Sequence, residues 1–411
     1  MRIGIFTDTY PPYINGVSTS IVMLVSALEK SGNQVFIVTV NAKEHSYEYE
    51  DKIIRIPGIP TGIYDYRLTG IYPIRAINKI KAWNLDVIHS HTEFGVGTFA
   101  RIIAKQLDIP LVHTYHTMYE DYVHYITKGY FDGASKKIVA HLTKFYCDKT
   151  ASELIVPTRK TYNLFKEKYH FDKDIHIIPT GIETERFFKE NFTKSQIAEK
   201  KKSLGISPND FVVLYVGRLA KEKNVDYLLE QHKILSKKNN NIKLLIVGSG
   251  PDLEHFKNLS KKLKIDDSVI FTDKVPWDDI PIYYQVADVF VTASLSETQG
   301  LTLIEAISSS VPVIAINDDS FKEVVVDGLN GYLFNTKKEY RNYITDLIKD
   351  NEKLNYLSRQ ARASSSNHSY KYFGERVLDV YKEATKGRIK DTPKGFFERL
   401  KNVVKGGFNG K

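Results

Sequence analysis

Short apolar runs alternate with amphipathic stretches along most of the chain. Residues 2–8 predict a first strand, and a turn-rich loop with Pro11, Pro12 and Asn15-Gly16 leads to a helix carrying Val17, Ile21, Leu24 and Leu28 on one face. Gly32 ends that helix, and residues 34–40 predict the next strand. Further strands are predicted over 85–90, 110–115, 153–156 and 175–178, with helices over 135–150 and 160–168. A polar, lysine-rich run to Ser203 reads as a linker and surface helix. The pattern then restarts, with strands over 211–216, 243–247 and 288–292 and a helix from Gly300. Valine- and isoleucine-rich runs followed by loops and helices predict α/β architecture with two doubly wound parallel sheets. No G-x-G-x-x-G follows the first strand, which excludes a dinucleotide fingerprint there.

With 411 residues, 42% of them hydrophobic, the chain is long enough for two or three domains with full cores. Its single cysteine, Cys147, excludes an internal disulfide and is expected to be a small core residue. The first residues read as a strand rather than a signal peptide, and no run reaches 18 consecutive apolar residues, so the expected compartment is the cytoplasm.

The formal charge of +9 suggests an anionic partner: nucleic acid, an anionic membrane or phosphorylated substrates. Two-thirds of it lies in residues 386–411, where eight Lys or Arg face Asp391 and Glu398. There Phe396, Phe397, Leu400, Val403 and Val404 recur at helical spacing among Arg399, Lys401 and Lys405. A basic amphipathic helix lying on a membrane fits this pattern, and so does a basic tail or nucleic-acid arm. Ile74, Ile77 and Ile80 with Arg75, Lys79 and Lys81 form a weaker candidate, for which packing on the sheet is the plainer reading.

The densest chemistry lies in the stretch A-D-V-F-V-T-A-S-L-S-E-T-Q-G-L-T-L-I-E-A from Ala287. A strand, a polar loop and a helix N-terminus in that order make an anion site at the carboxyl edge of a parallel sheet. Glu297 falls in the loop and Glu305 in the second helical turn, a spacing that could place one carboxylate on each side of a diphosphate. The plain alternative is a solvated loop residue and a helix-surface charge.

This E-x7-E arrangement resembles that of retaining nucleotide-sugar glycosyltransferases of group 1, family 4, and other segments extend the likeness along nearly the whole chain. Gly217-Arg218-Leu219, followed by Lys223-Asn224, matches the family's G-R-L-x-x-x-K-N, which implies a diphosphate clamp of Gly217, Arg218 and Lys223. Gly16 matches a phosphate-approach glycine, although relatives have two adjacent glycines where this chain has Asn15-Gly16. Gly248-Ser249-Gly250 matches a close-approach turn, and residues 271–275, ending in Val275, match the base-contacting region, with Asp273 where relatives carry glycine. The resemblance implies that Gly300, Leu301 and Thr302 complete the diphosphate site, that Glu305 holds the ribose, and that Glu297 and His116 contact the sugar.

His89, His91, His113 and His116 at two strand ends invite a metal reading, but no Asp, Glu or Cys joins them at ligand spacing, and a structural role is the other reading. The resemblance implies no metal and no cofactor, with the UDP-sugar as a substrate. Adjacent Asp318 and Asp319 read as solvated turn residues.

The segment after His116, with Met118, Tyr119, Tyr122, Tyr125 and Ile126, looks like that of bacterial diacylglycerol glucosyltransferases; it would suit a lipid interface or pack on its own domain. The family likeness implies a GT-B fold: two Rossmann-like domains facing a central cleft, with a C-terminal helix over 374–384 crossing back. Expected boundaries are 1–182, a linker over 183–204, 205–370, a crossing segment over 371–385 and a basic tail over 386–411.

The implied function is transfer of glucose from UDP-glucose to diacylglycerol at the inner face of the cell membrane, the chain being peripheral there. A soluble sugar or cell-wall polymer is the alternative acceptor, and a basic nucleic-acid-binding protein the remote alternative. A hydrolase using both glutamates would leave the cationic clamp without purpose.

Overall fold

Two parallel sheets organise the chain in a computed structural model, which describes all residues except 14, 61–66, 94, 117–150, 172–173, 295, 298 and 387–411. The helix expected over 135–150, Cys147, the segment holding Met118, Tyr119 and Tyr122, and the tail with Phe396, Phe397, Arg399 and Lys401 lie outside the described residues.

The first sheet runs, edge to edge, Ile175–Ile177, Glu153–Val156, Leu111–Thr114, Val87–Ser90, Arg2–Phe6, Gln34–Val40, Ile53–Ile56 and Glu48–Tyr49; only the last pairing is antiparallel. The second runs Val269–Phe271, Ile242–Val247, Phe211–Val216, Val289–Thr292, Val313–Ile316 and Gly331–Phe334, all parallel. Separate apolar clusters cover both faces of each sheet, which is why the strands read as continuous hydrophobic runs. In each sheet the winding direction reverses beside the first strand. The reversals fall between Arg2–Phe6 and Val87–Ser90, and between Phe211–Val216 and Val289–Thr292. Loops diverge at such points and leave a crevice at the strands' carboxyl ends.

The helix Tyr370–Ala384 follows the second unit in sequence but packs on the first. Phe373, Val377, Val380 and Tyr381 join the cluster of Ile3, Ile5, Ile21 and Leu24. Gly374 permits the approach, since a Cβ there would lie 2.4 Å from Ala27 Cβ. Its outgoing and returning connections are knitted together: Ile182 N donates to His368 O at 3.0 Å and Tyr370 N to Ile182 O at 2.8 Å.

Several elements differ from expectation. The crossing helix begins four residues early, because Ser369 caps it by accepting from Tyr372 N. The stretch expected as a helix over 160–168 is an α-helix, Arg159–Asn163, that widens into a π-helical turn, Leu164–Lys168. Asp318 is no solvated turn residue: it is partly buried, pairs with Lys160 of the first unit at 3.0 Å and accepts from Ser320. Strand Ile53–Ile56 and the hairpin of Gly58–Pro60 with Arg67–Thr69 were not anticipated.

Candidate active site

The reversal in the second sheet gathers two loops. The first leaves Phe211–Val216 through Gly217 and Arg218 and passes a short 3-10 turn, Lys221–Lys223. The second leaves Val289–Thr292 and ends at Gly300. Asn224 takes a left-handed conformation, φ 55°, and its amide donates to Ala293 O at 3.2 Å, stitching the loops together. Lys223 and Glu297 then meet across the crevice, Nζ to Oε1 2.5 Å, with side chains 18% and 24% exposed. Arg218 is partly buried in the same loop.

Gly300 opens the helix Leu301–Ser308 with φ 76° and, having no side chain, cannot itself cap the first N–H groups, which with the dipole's positive end suit an anion. A Cβ at Gly300 would also meet Phe321 at 2.9 Å. Leu301 and Thr302 begin the helix and are partly buried. Gly248 serves loop packing, since a Cβ there would lie 2.0 Å from Gly217 O. Val275 is partly buried, two residues after Asp273, whose φ of 58° explains why glycine suits that position.

Glu305 projects from the same helix, one turn on. Tyr284, wholly buried, places its hydroxyl 2.7 Å from Glu305 Oε2. Burial pushes the Glu305 carboxyl up to about 7, while the Tyr284 hydrogen bond and the Arg186 charge oppose that rise. Arg186 is held over the Trp277 ring at 3.6 Å and pairs with Asp278 at 2.8 Å.

In the first unit, Asn15 caps the helix Gly16–Lys30 by accepting from Ser18 N at 2.9 Å. Gly16 is thus a first-turn residue rather than a loop glycine, and a Cβ there would meet nothing within 4 Å.

His89, His91 and His113 are fully packed, and His116 at their edge is partly exposed. His91 Nδ1 and His116 Nε2 are 2.9 Å apart, His113 Nε2 lies 3.1 Å from Glu93, and His89 joins Tyr381 at 2.6 Å and Thr114 at 2.7 Å. Burial holds all four below the ordinary value, His116 at about 4, helped by neighbouring imidazoles at His89, His91 and His116 and by the Arg101 charge at His113. They are neutral at physiological pH. Among the described residues no three His, Cys, Asp or Glu side chains form a group that could hold a metal ion.

The structure therefore brings together Gly217, Arg218, Lys223, Gly248, Glu297, Gly300 and Glu305 in one unit, and places Gly16 and His116 at the matching edge of the other. Asp8, at the end of the first strand, was missed. It accepts from Val96 N at 3.0 Å, and burial pushes its carboxyl up to about 6. Its position at a strand end by the reversal was the available signal. Tyr284 beneath Glu305 had none, since it is distant in sequence.

The family model for glycosyl transferases group 1 matches residues 196–364, and that for glycosyltransferase family 4 matches residues 14–186. The chain is 36% identical over 387 residues to an alpha-monoglucosyldiacylglycerol synthase of Acholeplasma laidlawii, covering 93% of this chain and 96% of that protein. It is equally identical to a protein of the same name from Streptococcus pneumoniae, covering 93% and 86%. Among solved structures, HepE of Anabaena in complex with UDP-glucose superposes with a TM-score of 0.70 at 16% identity, covering 93% of this chain and 99% of that one. With the two wound sheets, that likeness makes the fold GT-B.

Proposed function

This chain belongs to the group 1, family 4 glycosyltransferases and is a hexosyltransferase; from that premise we propose that it transfers glucose from UDP-glucose to diacylglycerol with retention of configuration. The observation that carries the reading is the Lys223–Glu297 pair, set at the sheet's reversal beside an uncapped helix N-terminus. The acceptor follows from the two 36% identical relatives named for glucosyldiacylglycerol synthesis. The UDP-glucose complex of HepE, a protein of the same fold, supports the donor chosen here.

In this reading Gly16, Gly217, Arg218, Lys223 and the start of the Leu301–Ser308 helix hold the diphosphate, with Gly248 keeping the loops close. Glu305 accepts from the ribose hydroxyls, the backbone near Val275 meets the base, and Glu297 and His116 orient the glucose. The acceptor hydroxyl attacks the anomeric carbon from the leaving-group side. As that C–O bond forms, the bond to the diphosphate breaks, and a diphosphate oxygen takes the acceptor's proton. Arg218 and Lys223 neutralise the charge that develops on departing UDP. No step calls for a metal.

The membrane contact we assign includes a patch on the first unit. Ile77 and Ile80 of the helix Ile74–Ala82 are buried against the sheet, but Ile74 and Ile71 are 71% and 60% exposed. Tyr72 is also exposed and donates to Gln106 at 3.1 Å, next in sequence to the exposed Lys105, while Arg75 and Lys81 are exposed on the same helix as Ile74. Exposed apolar side chains with exposed basic residues on the same elements suit an anionic bilayer surface. Met118, Tyr119, Tyr122 and the tail residues Phe396, Phe397, Arg399 and Lys401 extend the same proposal, with the chain peripheral on the inner membrane face. Among the described residues no helix is long and apolar enough to cross a membrane. The domain limits proposed with this reading are those anticipated from the sequence.

The test is a donor and vesicle panel. UDP release with diacylglycerol vesicles should be fastest for UDP-glucose among UDP-sugars, and anionic vesicles should bring the protein down on sedimentation. Preference for another sugar, or release driven equally by a soluble saccharide, would replace this reading with the soluble-acceptor alternative.

A further inference from the structure

A side chain with no part in the chemistry above ties the donor loop to the crossing between the units. Gln299 sits buried between Glu297 and Gly300. Thr180 N donates to Gln299 Oε1 at 2.8 Å, and Gln299 Nε2 donates to Thr180 O at 2.8 Å. The Thr180 hydroxyl in turn lies 2.8 Å from Ser20 Oγ, one turn into the helix Gly16–Lys30. Thr180 and Ser20 are buried as well. Beside Thr180 the backbone is pressed against the returning connection: a Cβ on Gly181 would lie 2.3 Å from Ser369 O.

The amide therefore occupies both hydrogen-bonding groups of one peptide position, as a neighbouring strand would, at the point where the chain leaves the first unit. A two-point contact fixes orientation as well as distance, and a buried amide that lost it would leave a donor and an acceptor unsatisfied. The resulting series runs from the helix opened by Gly16, through Ser20, Thr180 and Gln299, to the helix opened by Gly300.

We propose that Gln299 is a positioning residue whose clasp on Thr180 sets the separation of the two helix N-termini that hold the donor diphosphate. The clasp thereby couples the geometry of the donor site to the angle between the units. It rests on the donor reading given above. A glutamate in its place would lose the donor to Thr180 O and bury a charge, and leucine would lose both bonds. Because the diphosphate must be gripped from both sides, an error in that separation acts on turnover more than on UDP affinity, which the second unit mainly supplies.

The experiment compares UDP binding by calorimetry and glucose transfer kinetics in the full chain, as wild type, Gln299→Leu, Ser20→Ala and the double variant. All four should bind UDP within a few-fold of each other. Turnover should fall on the order of 10- to 100-fold in Gln299→Leu, the scale of an ångström-sized misplacement. Ser20→Ala should lose less, and the double variant should be no slower than Gln299→Leu, because both act through one relay. Unchanged turnover in Gln299→Leu, or losses that multiply in the double variant, would overturn the clasp. Should Gln299→Leu fail to fold, Gln299→Glu takes its place: it keeps the acceptor for Thr180 N but loses the donor to Thr180 O, and turnover should fall with UDP affinity held within a few-fold, whereas unchanged turnover would overturn the clasp. Failure of the wild type to bind UDP would reject the donor reading instead.

Discussion

Lys223 Nζ lies 2.5 Å from Glu297 Oε1, so the residue proposed for the leaving diphosphate is paired with the residue proposed for the sugar. Lys223→Ala should raise the barrier to transfer by about 3 kcal/mol through lost charge stabilisation. Turnover at saturating UDP-glucose reads this directly, and a rate equal to wild type contradicts the role.

Glu305 titrates in the working range. Its carboxyl is pushed up to about 7, chiefly by burial, so in donor-free protein near neutral pH it is about half protonated. In the proposed role ribose hydroxyls donate to the ionised form, and UDP affinity should therefore rise as pH goes from 6 to 8. Glu305→Gln should bind UDP more weakly and flatten that profile. Tyr284→Phe removes a bond that favours ionisation, which moves the rise to higher pH. For stability the sign is opposite. Between 4.5 and about 7 the unfolded chain releases this proton first, so the group's contribution falls as pH rises through that window. Calorimetric UDP titrations that give one affinity across pH 6 to 8 would rule this out.

In the role proposed for it, His116 is a neutral hydrogen-bonding group, because burial holds it at about 4. Replacement by glutamine, which keeps a polar partner, should cost less than about 1.4 kcal/mol in transfer rate, whereas alanine should cost about 1–3 kcal/mol. Equal losses in the two variants would show that the imidazole does something an amide cannot.

The sequence announced both sheets because buried parallel strands are apolar on both faces; Glu153–Val156 and Phe211–Val216 were legible to the residue. Short, half-exposed strands such as Gly58–Pro60 carry too few positions to show a period. Glu297, Lys223 and Glu305 could be named because motif spacing is local. Their mutual geometry could not: the Lys223–Glu297 contact spans 74 positions and the Gln299–Thr180 clasp 119. Asp318 was misjudged for the same reason, since its cation comes from 158 positions away.

The crossing helix is expected to stabilise the first unit. Gly374→Leu forces a side chain into Ala27, and overpacking of this kind costs about 1–3 kcal/mol. Thermal unfolding should show a lowered Tm, partly restored by Ala27→Gly in the same chain. A Tm unaffected by Gly374→Leu would mean that the two helices do not meet as closely as described.

The most direct measurement follows label from UDP-glucose into the lipid extract of anionic vesicles, with and without diacylglycerol, using wild type and Glu297→Gln side by side. The account predicts labelled glycolipid from the wild type only when diacylglycerol is present, and at least about 100-fold less from the variant. Label reaching lipid without diacylglycerol, or equally with Glu297→Gln, would contradict it.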